Sequence, residues 1–273
     1  MPVALDGRPV GIDTGGRPFD PTLPCLALIH GAAHDRFVWR SLSGRLADAG
    51  LAVLAADLPG HGASGGPPLP DIASMADWLL ALLEKVGARG TVSLAGHSMG
   101  SLVALEAAAR LPGRIRHLCM LGTAVPMPVS PALLQAARAD EPGARALINQ
   151  WSHSRHALLG ACGGPGLWLP AINLRIMERQ KPGVLHNDLA ACDAYRPDAE
   201  MPGRPDCPVT LIAGGHDRMT PLKAARHLAG QLGEQTRLVE LPGVGHAMLA
   251  EAPDGCFQAI VAALDGARRP AAP

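Results

Sequence analysis

Apolar residues along this chain fall into short unbroken runs that alternate with stretches of helical spacing. Cys25-Leu26-Ala27-Leu28-Ile29 is wholly apolar, as expected of a strand covered on both faces. Helical spacing follows over 37–49 and stops at Gly50, and 51–56 reads as the next strand. The alternation continues with a helix over 72–86, a strand over 91–95, a helix over 102–111 and a strand over 117–121. Farther on, strands over 209–213 and 237–241 alternate with helices over 222–232 and 248–264. This order predicts an α/β fold: a mostly parallel, doubly wound sheet with helices on both faces and right-handed crossovers. Ahead of it, Val3 to Val10 reads as two short strands turned at Asp6-Gly7, a dipeptide suited to tight hairpins.

From 126 to 202 the strand pattern stops. Pro126, Pro128 and Pro131 open this stretch and Pro197, Pro202 and Pro205 close it, which makes both borders stiff and non-helical. Ser130-Pro131 supplies a capping hydroxyl followed by proline at the first helical position. Helices are expected over 132–139, 143–159, 167–179 and 184–195. Nothing in the stretch would complete a sheet. The expected organisation is a core formed by 1–125 and 203–273 with a helical cap, or lid, inserted at 126–202. Such a cap would lie over the strand ends, where parallel sheets bind ligands. Residues 266–273 read as a frayed tail.

A length of 273 residues suits one large core with such an insertion. Lys plus Arg and Asp plus Glu each number 24, and no basic run occurs, which argues against nucleic acid and acidic membranes as partners. No stretch approaches the ~20 apolar residues of a membrane span. Met1 to Gly7 has neither the basic start nor the apolar run of a signal peptide. The expectation is a cytoplasmic protein without membrane insertion, its oligomeric state left open. Cys25, Cys119, Cys162, Cys192, Cys207 and Cys256 are irregularly spaced and read as free, mostly buried thiols.

The chemistry centres on Gly96-His97-Ser98-Met99-Gly100, set between a strand and a helix with no loop to spare. Such a turn strains the serine backbone and leaves room only for very small residues two places away. It holds the hydroxyl clear of the sheet at the positive end of a helix, the arrangement of a nucleophile elbow. A serine nucleophile needs a base, and the base an orienting carboxylate. His246 follows the last strand through the glycine-rich Pro242-Gly243-Val244-Gly245 and is the expected base; His216 and His227 are weaker candidates. Asp217 follows the 209–213 strand through Gly214-Gly215-His216 and is the expected acid, although it also suits capping of the next helix. Asp57 also ends a strand, but its neighbours suggest a structural turn. The backbone N–H groups of Met99 and Ala32, the latter in the His30-Gly31-Ala32-Ala33 loop, are the candidate oxyanion donors.

Together His30-Gly31 with Trp39, the run Asp57 to Ser64, Gly96 to Gly100, Gly215-His216-Asp217 and Gly245-His246 resemble the α/β-hydrolase fold superfamily over about 3–264. The resemblance implies catalytic roles for Ser98, Asp217 and His246. It also implies acyl-enzyme hydrolysis of a small-molecule carboxylic ester, thioester or lactone, with no cofactor and no metal. Serine at the elbow argues against epoxide hydrolases and haloalkane dehalogenases, which carry aspartate there. Carbon–carbon hydrolysis and acyl transfer by the same triad, or a slow-turnover ligand sensor, remain as alternatives.

For the substrate pocket, His34, Trp151, Trp168 and Leu169 are candidates, packing of cap against core being the competing role. Gly60, Gly62 and Gly65 match a dinucleotide fingerprint, but Gly66-Pro67-Pro68 follows where a helix is required. His153 and His156 lie one helical turn apart; without a neighbouring acid a solvated helix face is expected, not a metal site.

Overall fold

The computed structural model describes residues 3–160, 167–196 and 205–266. Strands β1 (Val3–Leu5) and β2 (Arg8–Val10) form the hairpin expected around Asp6-Gly7. The central sheet contains β3 (Ile12–Asp13), β4 (Cys25–Ile29), β5 (Ala52–Ala56), β6 (Val92–His97), β7 (Ile115–Leu121), β8 (Val209–Gly214) and β9 (Thr236–Leu241). Its order is β3-β5-β4-β6-β7-β8-β9. Only β3 runs antiparallel; its two residues pair with Ala55 and Ala56, and so short a strand carries no alternation to read from sequence. All other neighbours are parallel.

Helices α1 (Arg40–Asp48) and α2 (Ile72–Lys85) connect the first strands, and α3 (Met99–Arg110) follows β6. Side-chain alternation explains the unbroken apolar strands. Leu26 and Leu28 of β4 join the core that holds Leu42 and Leu46 of α1, whereas Ala27 and Ile29 join the core of α2 and α3. Helix α2 shows why its stretch is helical. Asp71 accepts the Ser74 N–H at 2.7 Å as N-cap, and Ile72, Met75, Ala76, Leu79, Leu82 and Leu83 form one buried stripe. Burial of each such leucine contributes roughly 1.5–3 kcal/mol.

Between β7 and β8 the described chain is helical: α4 (Pro131–Ala139), α5 (Glu141–Ser152), α6 (Arg155–Leu158), α7 (Leu169–Glu178) and α8 (Val184–Ala194). Leu133, Ile148, Met177, Leu185 and Leu189 share a small core of their own, and Ala33 of the main fold is buried in it. The single helix expected over 143–159 is two. His153 is extended (φ −102°, ψ 144°) and Ser154 caps α6, while the Ser154 N–H is drawn to Glu251 at 3.0 Å. The expected closing prolines Pro197 and Pro202, as well as Cys162 and the 267–273 tail, lie outside the described residues.

After β8, α9 (Leu222–Leu232) leads to β9, and α10 (Met248–Glu251) and α11 (Pro253–Gly266) end the described chain. The expected helix over 248–264 is interrupted at Ala252, where Pro253 removes a backbone donor. The five described cysteines, Cys25, Cys119, Cys192, Cys207 and Cys256, are free and buried. No helix among the described residues is long and apolar enough to cross a membrane.

Candidate active site

Strand β6 ends at His97 and helix α3 begins at Met99, so Ser98 alone makes the turn, at φ 53° and ψ −121°. The flanking glycines are sterically required. A Cβ on Gly96 would lie 2.0 Å from the Gly100 carbonyl oxygen, and one on Gly100 would lie 2.4 Å from that of Ile29. The turn is fastened by the Ser98 N–H, which donates to Leu121 O at 2.8 Å. Ser101 Oγ lies 2.6 Å from Ser98 O and 2.7 Å from Thr123 Oγ1.

At the same sheet edge, the loop after β8 presents Asp217. Its Oδ1 accepts the N–H groups of Met219 and Thr220, both at 2.8 Å. Its Oδ2 accepts the Thr220 hydroxyl and His246 Nδ1, again at 2.8 Å each. Burial raises the Asp217 pKa, but the adjoining His246, through its charge and its hydrogen bond, and the two Thr220 donors outweigh it and hold the carboxyl below its ordinary value. His246 stands on the loop after β9. Gly122 makes room for its ring, since a Cβ there would lie 3.1 Å from Cε1 and Nδ1. Ser98 and His246 line one cavity without a hydrogen bond between them.

His97, which the sequence reading passes over as a base, supports His246. Its Nε2 donates to His246 O at 2.9 Å and the two rings lie 4.9 Å apart. Burial, aided by His246, pushes the His97 pKa down to about 3, so this ring stays neutral. The His97 and Gly122 contacts with His246 carry no motif because the partners are distant in sequence, whereas Thr220 is signalled only by its place three residues after Asp217.

The loop after β4 closes over the elbow. A Cβ on Gly31 would approach Ser98 Cβ to 3.2 Å. The buried His30 donates from Nδ1 to Gly31 O at 2.9 Å and accepts the Leu58 N–H at Nε2 at 3.0 Å. The N–H groups of Ala32 and Met99 have no acceptor among the described residues, and Ala32 lines the cavity with Ser98.

Two cavities meet beside His34, His97, Ser152 and His246. The first, about 200 Å³, is bounded by Met127, Leu133, Ile148 and Trp151. The second, about 380 Å³, runs past Phe37, Leu169 and Ile172. The sequence candidates are thereby separated. His34 borders both cavities, with ring nitrogens 2.8 Å from Ala32 O and Asn173 Oδ1. Trp151 lines the first and Leu169 the second, but Trp168 faces neither: it is 55 % exposed, its indole N–H 3.4 Å from Leu158 O. Trp168 is therefore removed from the pocket.

The remaining features are structural. Asp57 is buried and accepts the N–H groups of Arg36 (2.7 Å) and Ala63 (2.8 Å) and the Arg36 guanidinium. Gly62 leaves room for that carboxylate, since a Cβ would fall 2.3 Å from Asp57 Oδ2. His153 is buried, not solvated as expected, because the end of α5 packs against the His246 loop; Ala247 N–H donates to Ser152 O at 2.8 Å. No group of three potential metal ligands occurs among the described residues.

Several buried histidines make stability pH-dependent. Burial lowers His97 to about 3 and His117 to about 4, and it also lowers His30, His34 and His153. The unfolded chain takes up these protons near 6.5, the folded chain only well below, so stability is lost as pH falls from about 6.5 towards 4. His61 opposes this: burial pulls it down, but Asp188 outweighs burial and raises it, so its contribution is lost as pH rises. Five lowered groups against one raised predict a Tm that drops steadily from pH 7 to pH 4 in calorimetry at constant ionic strength. His117→Leu should flatten that drop; a Tm constant across the range would contradict the account.

Comparison with known proteins bears on the family and the fold. Residues 26–259 match the model of the alpha/beta hydrolase family. The chain belongs to that family. A pimeloyl-(acyl-carrier protein) methyl ester esterase of Aromatoleum aromaticum is 31% identical over 252 residues, covering 85% of this chain and 95% of that one. The enzyme of that name from Chromobacterium violaceum is 29% identical over 237 residues, covering 82% of this chain and 87% of its own. The solved enol-lactonase of Burkholderia xenovorans superposes with a TM-score of 0.83 at 23% identity, covering 97% of this chain and 100% of that one. A thermophilic esterase of Thermogutta terrifontis gives 0.82 at 22% identity, covering 98% and 97%.

Proposed function

We propose that this chain is a serine hydrolase that cleaves a carboxylic ester through an acyl-enzyme. The observation that carries the reading is the Asp217–His246 pair, joined at 2.8 Å, whose imidazole shares a cavity with the strained Ser98. In the proposed reaction, Ser98 Oγ attacks the ester carbonyl carbon while its proton passes to His246 Nε2. The carbonyl oxygen, now negative, is received by the N–H groups of Ala32 and Met99. Asp217 keeps the proton on Nδ1 and stabilises the imidazolium. The tetrahedral centre collapses, the C–O bond to the alcohol breaks, and His246 returns the proton to the departing alkoxide. Water then repeats the sequence against the acyl-enzyme and releases the acid.

Residues 126–202, with α4 to α8, act in this reading as a cap that roofs the cavity through Leu133, Ile148 and Trp151. The two cavities on either side of His246 offer space for the acyl and alcohol parts. The curated relatives make the methyl ester of a carrier-bound acyl chain the first natural substrate to test.

The experiment is a panel of p-nitrophenyl esters of increasing acyl length and methyl esters of carrier-bound acids, assayed with a fluorophosphonate label. Expected are a pre-steady-state burst of p-nitrophenol, acid release at the steady-state rate and stoichiometric labelling at Ser98. Labelling of another residue, or no turnover of any ester by folded protein, overturns the proposal.

A further inference from the structure

The oxyanion loop is held from an unexpected direction. Two peptide units, 31–32 and 32–33, carry four polar groups between them. Gly31 O accepts from His30 Nδ1 at 2.9 Å and from the His34 N–H at 3.2 Å. Ala32 O accepts from His34 Nδ1 at 2.8 Å. The Ala33 N–H donates to Asp188 Oδ2 at 2.8 Å, across 155 residues of sequence. Only the Ala32 N–H has no acceptor among the described residues. Ala33 itself sits at φ 51°, a left-handed conformation that alanine keeps only where its surroundings over-determine it.

Asp188 belongs to α8, in the helical segment between β7 and β8, and is fully buried. An unpaired carboxylate there would be costly, and His61 provides the counter-charge. His61 Nε2 lies 2.8 Å from the same Oδ2, and its Nδ1 lies 3.0 Å from Pro59 O. Both ring nitrogens therefore face acceptors, the bonding pattern of an imidazolium. Asn187 Nδ2 approaches Oδ1 at 3.3 Å.

We infer that Asp188 is a positioning residue: by accepting the Ala33 N–H it clamps the 32–33 peptide, fixes the Ala32 N–H for the substrate oxygen, and ties the oxyanion site to the seating of α8. This rests on the ester-hydrolase reading above. A bound ester thus meets a complete oxyanion site only while α8 is docked.

The test separates transition-state stabilisation from ground-state binding. In Asp188→Ala, kcat should fall about 30-fold or more, short of the ~100- to 1,000-fold typical for complete loss of a donor, with KM within about threefold. Affinity for an alkyl boronic acid, which forms a tetrahedral adduct on Ser98, should fall by a similar factor. Affinity for the matching alkyl ether, which has no carbonyl oxygen, should not change. Should that variant fail to fold, the double variant His61→Leu/Asp188→Leu removes both buried charges together, leaving neither unpaired. The same split between boronate and ether is expected of it. Boronate binding unchanged in these variants, or boronate and ether weakening together, overturns the assignment of Asp188 alone. Failure of wild-type protein to bind the boronate overturns the hydrolase reading, and this inference with it.

Discussion

Ser98→Ala is expected to lower kcat for a p-nitrophenyl ester by about 10⁴- to 10⁶-fold with little change in KM, the range seen when a serine nucleophile is removed. No side-chain hydrogen bond of Ser98 supports the fold, since its turn is held by backbone groups: its N–H bonds to Leu121 O and its carbonyl to Ser101. Alanine has the same Cβ and meets the same crowding at φ 53°. The variant should therefore fold with a near wild-type Tm, and its loss of activity should report chemistry alone. What survives should come from the Ala32 and Met99 donors acting on water attack. A loss of less than about 100-fold, far short of nucleophile removal, would mean that another group performs the attack.

Asp217→Asn is expected to lower kcat by about 10⁴-fold through the wrong tautomer of His246, without displacing the ring. The orientation of the new amide is dictated by its neighbours. The Met219 and Thr220 N–H groups, each 2.8 Å from Oδ1, can be met only by the amide oxygen. The NH₂ must then occupy the Oδ2 position, 2.8 Å from His246 Nδ1. Facing a donor, Nδ1 loses its proton and Nε2 gains it, so the ring can no longer take the serine proton. Rates on the ester panel, with the imidazole tautomer followed by ¹⁵N NMR, test this. Near wild-type kcat in the variant would remove Asp217 from the mechanism. Ser98→Ala/Asp217→Asn should be hardly slower than Ser98→Ala, because residues acting as one unit are not additive.

Much of this arrangement is legible in the chain because it is local. Gly96 and Gly100 mark a turn that no other residue fits, and Asp217 and His246 each close a strand in the order the sheet brings to one edge. The boundaries that failed were decided by distant partners. The helix expected through His153 breaks because Glu251, 97 residues on, takes the Ser154 N–H. Trp168 looks like pocket material by its chemistry, yet only packing decides which way an aromatic ring turns. Asp188 is one acid in a helix of ordinary composition, and nothing near it in sequence announces Ala33 or His61. Such contacts leave no periodicity and no motif, only a position in three dimensions.

The helical segment leaves from the end of β7 and returns at the start of β8, and these strands are neighbours paired from Leu118–Val209 to Leu121–Ile212. Its two stems are thus anchored by the sheet itself, which marks the place where a foreign segment of another length or shape would be spliced. A chimera of that kind would keep the elbow and Asp217, but it would lose the Ser152 carbonyl that takes the Ala247 N–H beside His246. It would not inherit an acceptor for Ala33 unless the graft brought its own, so transplanting substrate range in this scaffold calls for carrying one buried carboxylate along.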